Sequence, residues 1–245
     1  MALFRDITSV DTDWLRHYES SLVEDATGEN IDIPKKIILA HQELSGRLDG
    51  FLRSQEAGSL DQVVVTDLLR ESWSYLALAL MYRDAHSSHL SDRFERNWKT
   101  FADRAEKALN LLFETGIGMV YEPMPVAVPP VVHLERGDAG AGMFLVQVAY
   151  VSNSGQEGAP SSAKAIEIGD NQRPTVYLSG YPANAAGWNL YMGLTKDSLG
   201  RQNSAVLPLS SSWTLYGPGL QPGPAPLGGQ RPDFFVRRRR LILRG

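Results

Sequence analysis

Cysteine is absent from this chain, and proline is nearly absent from its first half. With no cysteine among 245 residues, disulfides, zinc-thiolate sites and thiol catalysis are excluded, and stability must come from packing or assembly. Of the 14 prolines, only Pro34 precedes residue 123. Because proline removes a backbone donor and clashes inside helices, the second half must be divided into short segments. The sequence therefore predicts a helical module followed by a β module.

Long apolar runs are also missing. No stretch of about 18 or more apolar residues, the length of a membrane helix, occurs in the sequence. The first residues also lack the basic-then-apolar layout of a secretory signal. We therefore expect synthesis in the cytoplasm and no membrane partner.

Charge is distributed unevenly along the chain. Residues 1–122 contain 21 acidic and 13 basic residues, a balance of -8, whereas residues 123–245 contain 7 acidic and 11 basic residues, a balance of +4. Six of those eleven basic residues lie between Arg231 and Arg244. This concentration of positive charge predicts an acidic partner for the end of the chain.

Apolar spacing in the first half predicts three or four helices. They are expected over residues 11–24, 34–52, 59–84 and 91–115. Asp11 and Pro34 are suited to helix starts, and Gly116 is suited to a helix end. The third helix is apolar around most of its circumference, so we expect it at the centre. Short connections then predict an antiparallel bundle over residues 1–118.

The second half predicts a β-sandwich and an extended C-terminal arm, which makes the whole chain an α+β multidomain protein. Residues 119–130 are expected to be an extended proline-rich connection, packed along the bundle or a neighbouring subunit. Residues 131–216 contain seven short strand candidates with regular turn signals, typical of an immunoglobulin-like or fibronectin-type-III-like sandwich. The candidates are 131–135, 143–152, 163–168, 175–179, 188–193, 204–209 and 212–216. Residues 217–245 are predicted to be a Gly/Pro tether followed by an Arg-rich docking arm.

The sequence carries no recognisable catalytic pattern. It lacks a Walker loop, a nucleophile elbow, an HExxH motif and a Rossmann glycine motif placed after a strand. His86 and His89 have the spacing of metal ligands but little carboxylate support, so we interpret them as solvated histidines. Trp73, Trp98 and Phe101 have the helical spacing of core residues. We expect no enzymatic activity, no metal and no cofactor.

The C-terminal arm is the candidate partner-binding site. Four arginines in it are flanked by apolar residues on both sides, a composition that favours burial over permanent disorder. An extended arm of this kind could add to a sheet edge while its arginines contact acidic protein surface or nucleic-acid phosphate. The candidate residues are Phe234, Phe235, Val236, Arg237, Arg238, Arg239, Arg240, Leu241, Ile242, Leu243 and Arg244.

Two longer patterns point to a known class of proteins. The stretches LALALMYRDA (76–85) and DRFERNWKTFADRAEKALNLLFETGIG (92–118) give an apolar helix, a polar turn and an aromatic-bearing charged helix that closes on glycine. This pattern resembles the head-to-tail adaptor (connector) proteins of tailed bacteriophages. The stretches YVSNSGQEGAPS (150–161), GWNLY (187–191) and SSSWTLYGPGL (210–220) are similar to fibronectin-type-III-like modules of phage structural proteins.

The resemblance implies a structural virion protein of the phage neck. Such adaptors form rings, usually of about twelve copies, between the portal and the tail or the next neck ring, and DNA passes through the centre. The implied partners are further copies of the chain, the portal protein and a tail, tail-terminator or nozzle protein, with non-specific contact to genomic DNA. The arm would dock on a neighbouring ring.

Two other functions remain open at this stage. The β module could belong to an appendage that binds carbohydrate or a cell surface, with Trp188, Tyr191, Trp213 and Tyr216 as stacking platforms, although these residues also suit a sandwich core. Alternatively, the arginines of the arm could bind nucleic acid. The acidity of the chain and the absence of a basic face before residue 231 weaken that alternative.

Overall fold

The computed structural model describes residues 1–7, 9–89 and 92–238. Its internal contacts divide the chain into two compact units. The helical unit contains Phe4–Tyr121 and the chain from Pro232 onward, and the β unit contains Met1–Leu3 and Glu122–Arg231. The protein is α+β, with a helical first part followed by antiparallel sheets. Unlike the expected division, the chain returns to the helical unit after Arg231.

The described residues contain five α-helices, α1 (Thr12–Leu15), α2 (Leu22–Gly28), α3 (Ile33–Ser54), α4 (Asp67–His89) and α5 (Asp92–Thr115). The carboxylate of Asp32 caps α3 by accepting the backbone N–H of Lys35 at 3.0 Å, and Pro34 occupies the first turn. The predicted bounds of α3 and α5 are therefore nearly those observed. No helix among the described residues is long and apolar enough to cross a membrane.

The first predicted helix is wrong, because two short helices replace it. Asp11 caps α1 by accepting the backbone N–H of Trp14 at 2.7 Å, but α1 ends at Leu15. Before α2, the Ser21 hydroxyl and backbone N–H both donate to the Glu19 carboxylate, at 2.9 and 3.3 Å. Such local bonds from serine compete with helical hydrogen bonding, which explains the interruption.

The predicted start of the third helix is also wrong. A 3-10 turn spans Leu60–Gln62, and buried Val63, Val64 and Val65 precede the start of α4 at Asp67. Val64 donates its backbone N–H to the Gly118 carbonyl at 3.0 Å. A run of β-branched residues suits an extended segment better than a helix, so these valines pair with the chain that follows α5.

Aromatic side chains fill the core of the helical unit. Trp73 on α4 is fully buried, and its indole N–H donates to the Ile37 carbonyl of α3 at 3.0 Å. The rings of Phe51 and Phe113 stack with their centroids 4.3 Å apart, which joins the C-terminal ends of α3 and α5. Of the predicted core aromatics, Trp73 and Phe101 are buried, and Trp98 is half-buried.

A two-stranded antiparallel sheet completes the helical unit. It consists of β1 (Ile117–Met119), directly after α5, and β9 (Phe234–Val236), near the end of the chain. Val63 forms a further antiparallel bridge to Met119. The second half of the chain therefore contributes part of the helical unit.

Glycine is required at position 118, where β1 passes close to other chain segments. A Cβ atom there would lie 2.8 Å from the Pro232 side chain and 3.0 Å from that of Thr66. We expect Gly118→Ala to lower the free energy of unfolding by about 1–3 kcal/mol through overpacking. Gly50 on α3 has no atom within 4 Å of its added Cβ, and we expect Gly50→Ala to raise stability by about 0.5–1 kcal/mol. Urea unfolding of both variants tests this contrast, and equal effects would contradict it.

The β unit contains two antiparallel sheets. The first has the strand order β2-β5-β8 and the second β4-β3-β6-β7. The strands are β2 (Val131–Arg136), β3 (Gly142–Ser152), β4 (Lys164–Ile168), β5 (Gln172–Tyr177), β6 (Ala185–Gly193), β7 (Gly200–Arg201) and β8 (Trp213–Thr214). Five of the seven predicted strands overlap β2 to β6, although β5 and β6 each begin three residues before the predicted start, and β8 is shorter than predicted.

Both sheets supply side chains to one apolar core. Val148 and Leu190 come from the second sheet and Val176 from the first, and all three are fully buried. The predicted strand at 204–209 is wrong, because only Leu207 pairs there, in a single bridge to Trp188. The next residue is Pro208, which has no backbone N–H to extend the ladder.

Most of the extended proline-rich connection belongs to the β unit. Met124 and Ala127 are buried in the core of that unit, and the Ala127 backbone N–H donates to the Ala159 carbonyl at 3.1 Å. The Asn184 side-chain amide donates to the Pro123 carbonyl at 2.9 Å. The expectation that residues 119–130 pack along the bundle is therefore corrected from residue 122 onward.

Candidate partner-binding segment

The first part of the predicted arm is a strand of the helical unit. In the β1–β9 pair, Val236 lies opposite Ile117, Phe235 opposite Gly118 and Phe234 opposite Met119. Asp233 fixes the entry to β9, because its backbone N–H donates to the Met119 carbonyl at 2.8 Å and its carboxylate accepts the Tyr121 backbone N–H at 2.8 Å. Phe234, Phe235 and Val236 are therefore paired within their own chain, which corrects, for these three residues, the expectation that the arm adds to a neighbouring sheet edge.

The side chains of β9 alternate between the core and solvent, as a strand on a core surface requires. Val236 is buried with Ile117 and Met119. Phe234 is half-buried, and its ring centroid lies 4.8 Å from that of Tyr121. Phe235 points the other way and is 51% exposed, while Tyr121 is 70% exposed. Strand β9 therefore carries a buried residue, Val236, that anchors it to the core, and an exposed aromatic residue, Phe235.

Arg238 leaves the strand at the C-terminal end of α5. Its backbone N–H donates to the Phe113 carbonyl at 2.9 Å, and its guanidinium carbon lies 6.0 Å from the centroid of the Phe113 ring. The last carbonyls of a helix lack partners within the helix, and positive charge near them is favourable. Since the last turn of α5 has no basic residue of its own, Arg238 supplies that charge.

Gly116 makes this approach possible. It has a φ of +120°, and a Cβ atom there would lie 2.9 Å from both Phe235 Cβ and Arg237 Cγ. The sequence indicates Gly116 only as the end of a helix. In the structure, the absence of a side chain at Gly116 also allows Phe235 and Arg237 to lie close to the backbone. The remaining candidate residues lie outside the described residues, namely Arg239, Arg240, Leu241, Ile242, Leu243 and Arg244.

The predicted Gly/Pro tether is attached to the β unit over much of its length. Gln202 accepts the Gln221 backbone N–H at 2.9 Å and donates to the Gln221 carbonyl at 3.0 Å. The Arg201 backbone N–H of β7 donates to the Pro224 carbonyl at 2.9 Å. Proline cannot donate to a ladder, but its carbonyl can accept from a strand edge. The expectation of a mechanically isolated tether is therefore wrong.

The proposed carbohydrate platform is not assembled in the β unit. Trp188 is fully buried, and its indole N–H donates to the Pro208 carbonyl at 3.0 Å. Tyr191 is buried, which raises the pKa of its hydroxyl. Trp213 is half-buried against the core, whereas Tyr216 is 77% exposed with the Arg173 guanidinium carbon 5.1 Å from its ring centroid. These four aromatics therefore do not form one stacking surface.

A polar cluster borders a cavity of about 500 Å³ in the β unit. Buried Glu157 accepts hydrogen bonds from the Asn189 side-chain amide at 2.6 Å and from the Tyr191 hydroxyl at 2.6 Å. Each carboxylate oxygen therefore has a donor from β6, which fixes the segment after β3 onto the second sheet. This network therefore has a structural explanation.

One histidine of the predicted pair, His86, has a described side chain. The His86 ring lies against Trp98 with centroids 6.0 Å apart. Within the described part of the chain, no group of three or more histidine, aspartate or glutamate side chains could hold a metal ion. His86 is therefore explained by packing on an aromatic ring.

Comparison with known proteins adds no family to these observations. No protein-family model matches the chain, and no curated protein matches its sequence. The resemblance to phage connectors therefore depends on the residue patterns of the chain itself.

Proposed function

We propose that this chain is a structural virion protein that forms a ring in the neck of a tailed bacteriophage. The ring would join the portal to the tail or the next neck ring and let DNA pass through its centre. We further propose that the β unit, whose sheets of three and four antiparallel strands share one core, is a fibronectin-type-III-like sandwich.

The observation that carries the proposal is the anchoring of the arm. Strand β9 holds Arg237 and Arg238 at the end of α5, immediately before the apolar and basic residues 239–244. A segment presented from a rigid element loses less conformational entropy on binding than a free tail does. This arrangement supports a role in lasting contacts between subunits.

Charge and site chemistry are consistent with a structural role. The first half of the chain is acidic and the end is basic, so one copy offers complementary surfaces to another. The polar cluster of the β unit and the histidine on α4 are both explained by packing. These features favour assembly over turnover.

The mass of the assembled protein tests this proposal. We expect native mass spectrometry of the purified full chain to show a closed ring, and a mixture with the portal ring to show a larger complex. We also expect several copies per virion, equal to the number in the ring. A chain that stays monomeric at all concentrations, does not bind the portal ring and occurs at fibre tips would contradict the proposal.

A further inference from the structure

An apolar groove lies on the helical unit between its first residues and the start of α3. It has a volume of about 240 Å³, and its lining includes Ile7, Val10, Asp11, Pro34, Ile37 and Ile38. Val10 and Ile37 are buried and form the floor, while Ile7 and Ile38 are 42% and 45% exposed at the rim. A rim of half-exposed isoleucines over an apolar floor suits aliphatic side chains.

Charge distinguishes this groove from a second one on the same unit. Asp11 lines the first groove, and Asp13 two residues later has a side chain that is 89% exposed. The opposing charges nearby are Lys35 and Arg16, the latter 3.8 Å from Asp13. The second groove, between α4 and α5, is lined by Arg104 and Lys107 and by one acidic residue, Glu71. Its charged lining therefore has one more positive group than negative groups, which disfavours a positively charged segment there relative to the first groove, where Asp11 is the charged residue of the lining.

The chain contains a segment with matching chemistry. Leu241, Ile242 and Leu243 are three consecutive aliphatic residues, with Arg240 before them and Arg244 after them. Aliphatic side chains would fill the groove, and a flanking arginine would lie near Asp11 in its lining. The segment begins directly after Arg238, which is fixed at the Phe113 carbonyl.

The length of the segment shows which copy of the chain it can reach. Phe113 stacks on Phe51 at the C-terminal end of α3, whereas Ile38 lies thirteen residues earlier on the same helix. That separation is about 20 Å along the helix axis. Ile242 lies four residues beyond Arg238, and an extended chain of that length spans about 14 Å. The segment is therefore too short to fill the groove of its own chain.

We propose that Leu241, Ile242 and Leu243 of one copy bind in the groove around Ile37 and Ile38 of a second copy. This inference rests on the proposed ring, because a contact between two different surfaces of identical chains is the heterologous type that closes into rings. It specifies the partner of the arm as a second copy of the same chain.

The groove is tested with two matched variants of the full chain. Ile38→Arg places a positive charge at the rim of the proposed groove, and Leu111→Arg does the same at the α4–α5 groove, where Leu111 is 48% exposed. We expect Ile38→Arg to weaken self-association at least about tenfold and Leu111→Arg to change it by less than about twofold. Sedimentation velocity measures both, and Asp13→Lys provides a second variant at an exposed side chain.

A mixing experiment identifies the two surfaces. A chain lacking residues 239–245 keeps its groove, and the Ile38→Arg chain keeps its arm, so neither should assemble alone at a concentration at which the intact chain just assembles. Mixed together, they should form a one-to-one dimer that grows no further. Failure of the mixture to associate would overturn the inference.

The same truncated chain separates this inference from the proposed function. If it assembled normally but no longer bound the portal ring, the arm would belong to the portal contact, and only the inference would fail. If the intact chain neither self-associated nor bound the portal, the proposed function would fail.

Discussion

Removal of residues 232–245 is expected to lower the free energy of unfolding of the helical unit by about 3–5 kcal/mol. The deletion removes buried Val236 and half-buried Phe234 and leaves the apolar strand β1 without its ladder partner. Burial of one valine or phenylalanine side chain contributes about 1.5–3 kcal/mol, and exposure of Ile117 and Met119 adds to the loss. The thermal unfolding curve of the helical circular dichroism signal measures this effect.

A shorter deletion is the control. A chain that ends at Arg238 keeps strand β9 and the hydrogen bond to Phe113, so at a concentration at which neither chain assembles we expect its melting temperature to equal that of the intact chain. If both deletions melted like the intact chain, β9 would contribute nothing to the helical unit and the arm would be dispensable for folding. If only the longer deletion were unstable, the anchor and the binding segment would be separable.

The sequence was most informative where structure depends on neighbouring residues. The start of α3 could be predicted from Pro34, because the preference of proline for the first turn of a helix acts within a few residues. The end of α5 could be predicted from Gly116 for the same reason. Strands β3 and β6 were recognisable because both are short apolar segments that contain β-branched or aromatic residues, which are typical of strands.

The β1–β9 pair could not be predicted in the same way. Ile117 and Val236 are more than a hundred residues apart in the chain. Each strand is three residues long, and its sequence does not identify the strand with which it pairs. Phe234 and Phe235 are apolar enough to indicate burial. The sequence does not distinguish burial within the same chain from burial against a neighbouring chain. The glycines at 116 and 118 carry a sequence signal for this pair, because they allow another segment to approach closely.

The Gly/Pro segment shows a second limit of local reasoning. Its composition excludes helices and ladders and on its own predicts a segment without contacts. Gln202, which holds Gln221 from both sides, shows that side chains can fix such a segment without regular structure. The exact partner depends on the tertiary fold.

The second large effect is expected at Trp188. Replacement of this residue by alanine should lower the free energy of unfolding of the β unit by about 3–5 kcal/mol, because a fully buried indole leaves a large cavity in a packed core. The Pro208 carbonyl would also lose the donor that Trp188 provides at 3.0 Å. Urea unfolding monitored by near-ultraviolet circular dichroism measures the change.

Tyr216 provides the matched comparison within the same set of aromatics. Its ring is 77% exposed, so Tyr216→Ala should change stability by less than about 0.5 kcal/mol. If the four aromatics were a glycan platform, both variants would instead lose binding to a glycan array while keeping their stability. A large loss of stability for Trp188→Ala beside a neutral Tyr216→Ala would assign Trp188 to the core. The appendage alternative would then have to rest on Tyr216 and its contact with Arg173 alone.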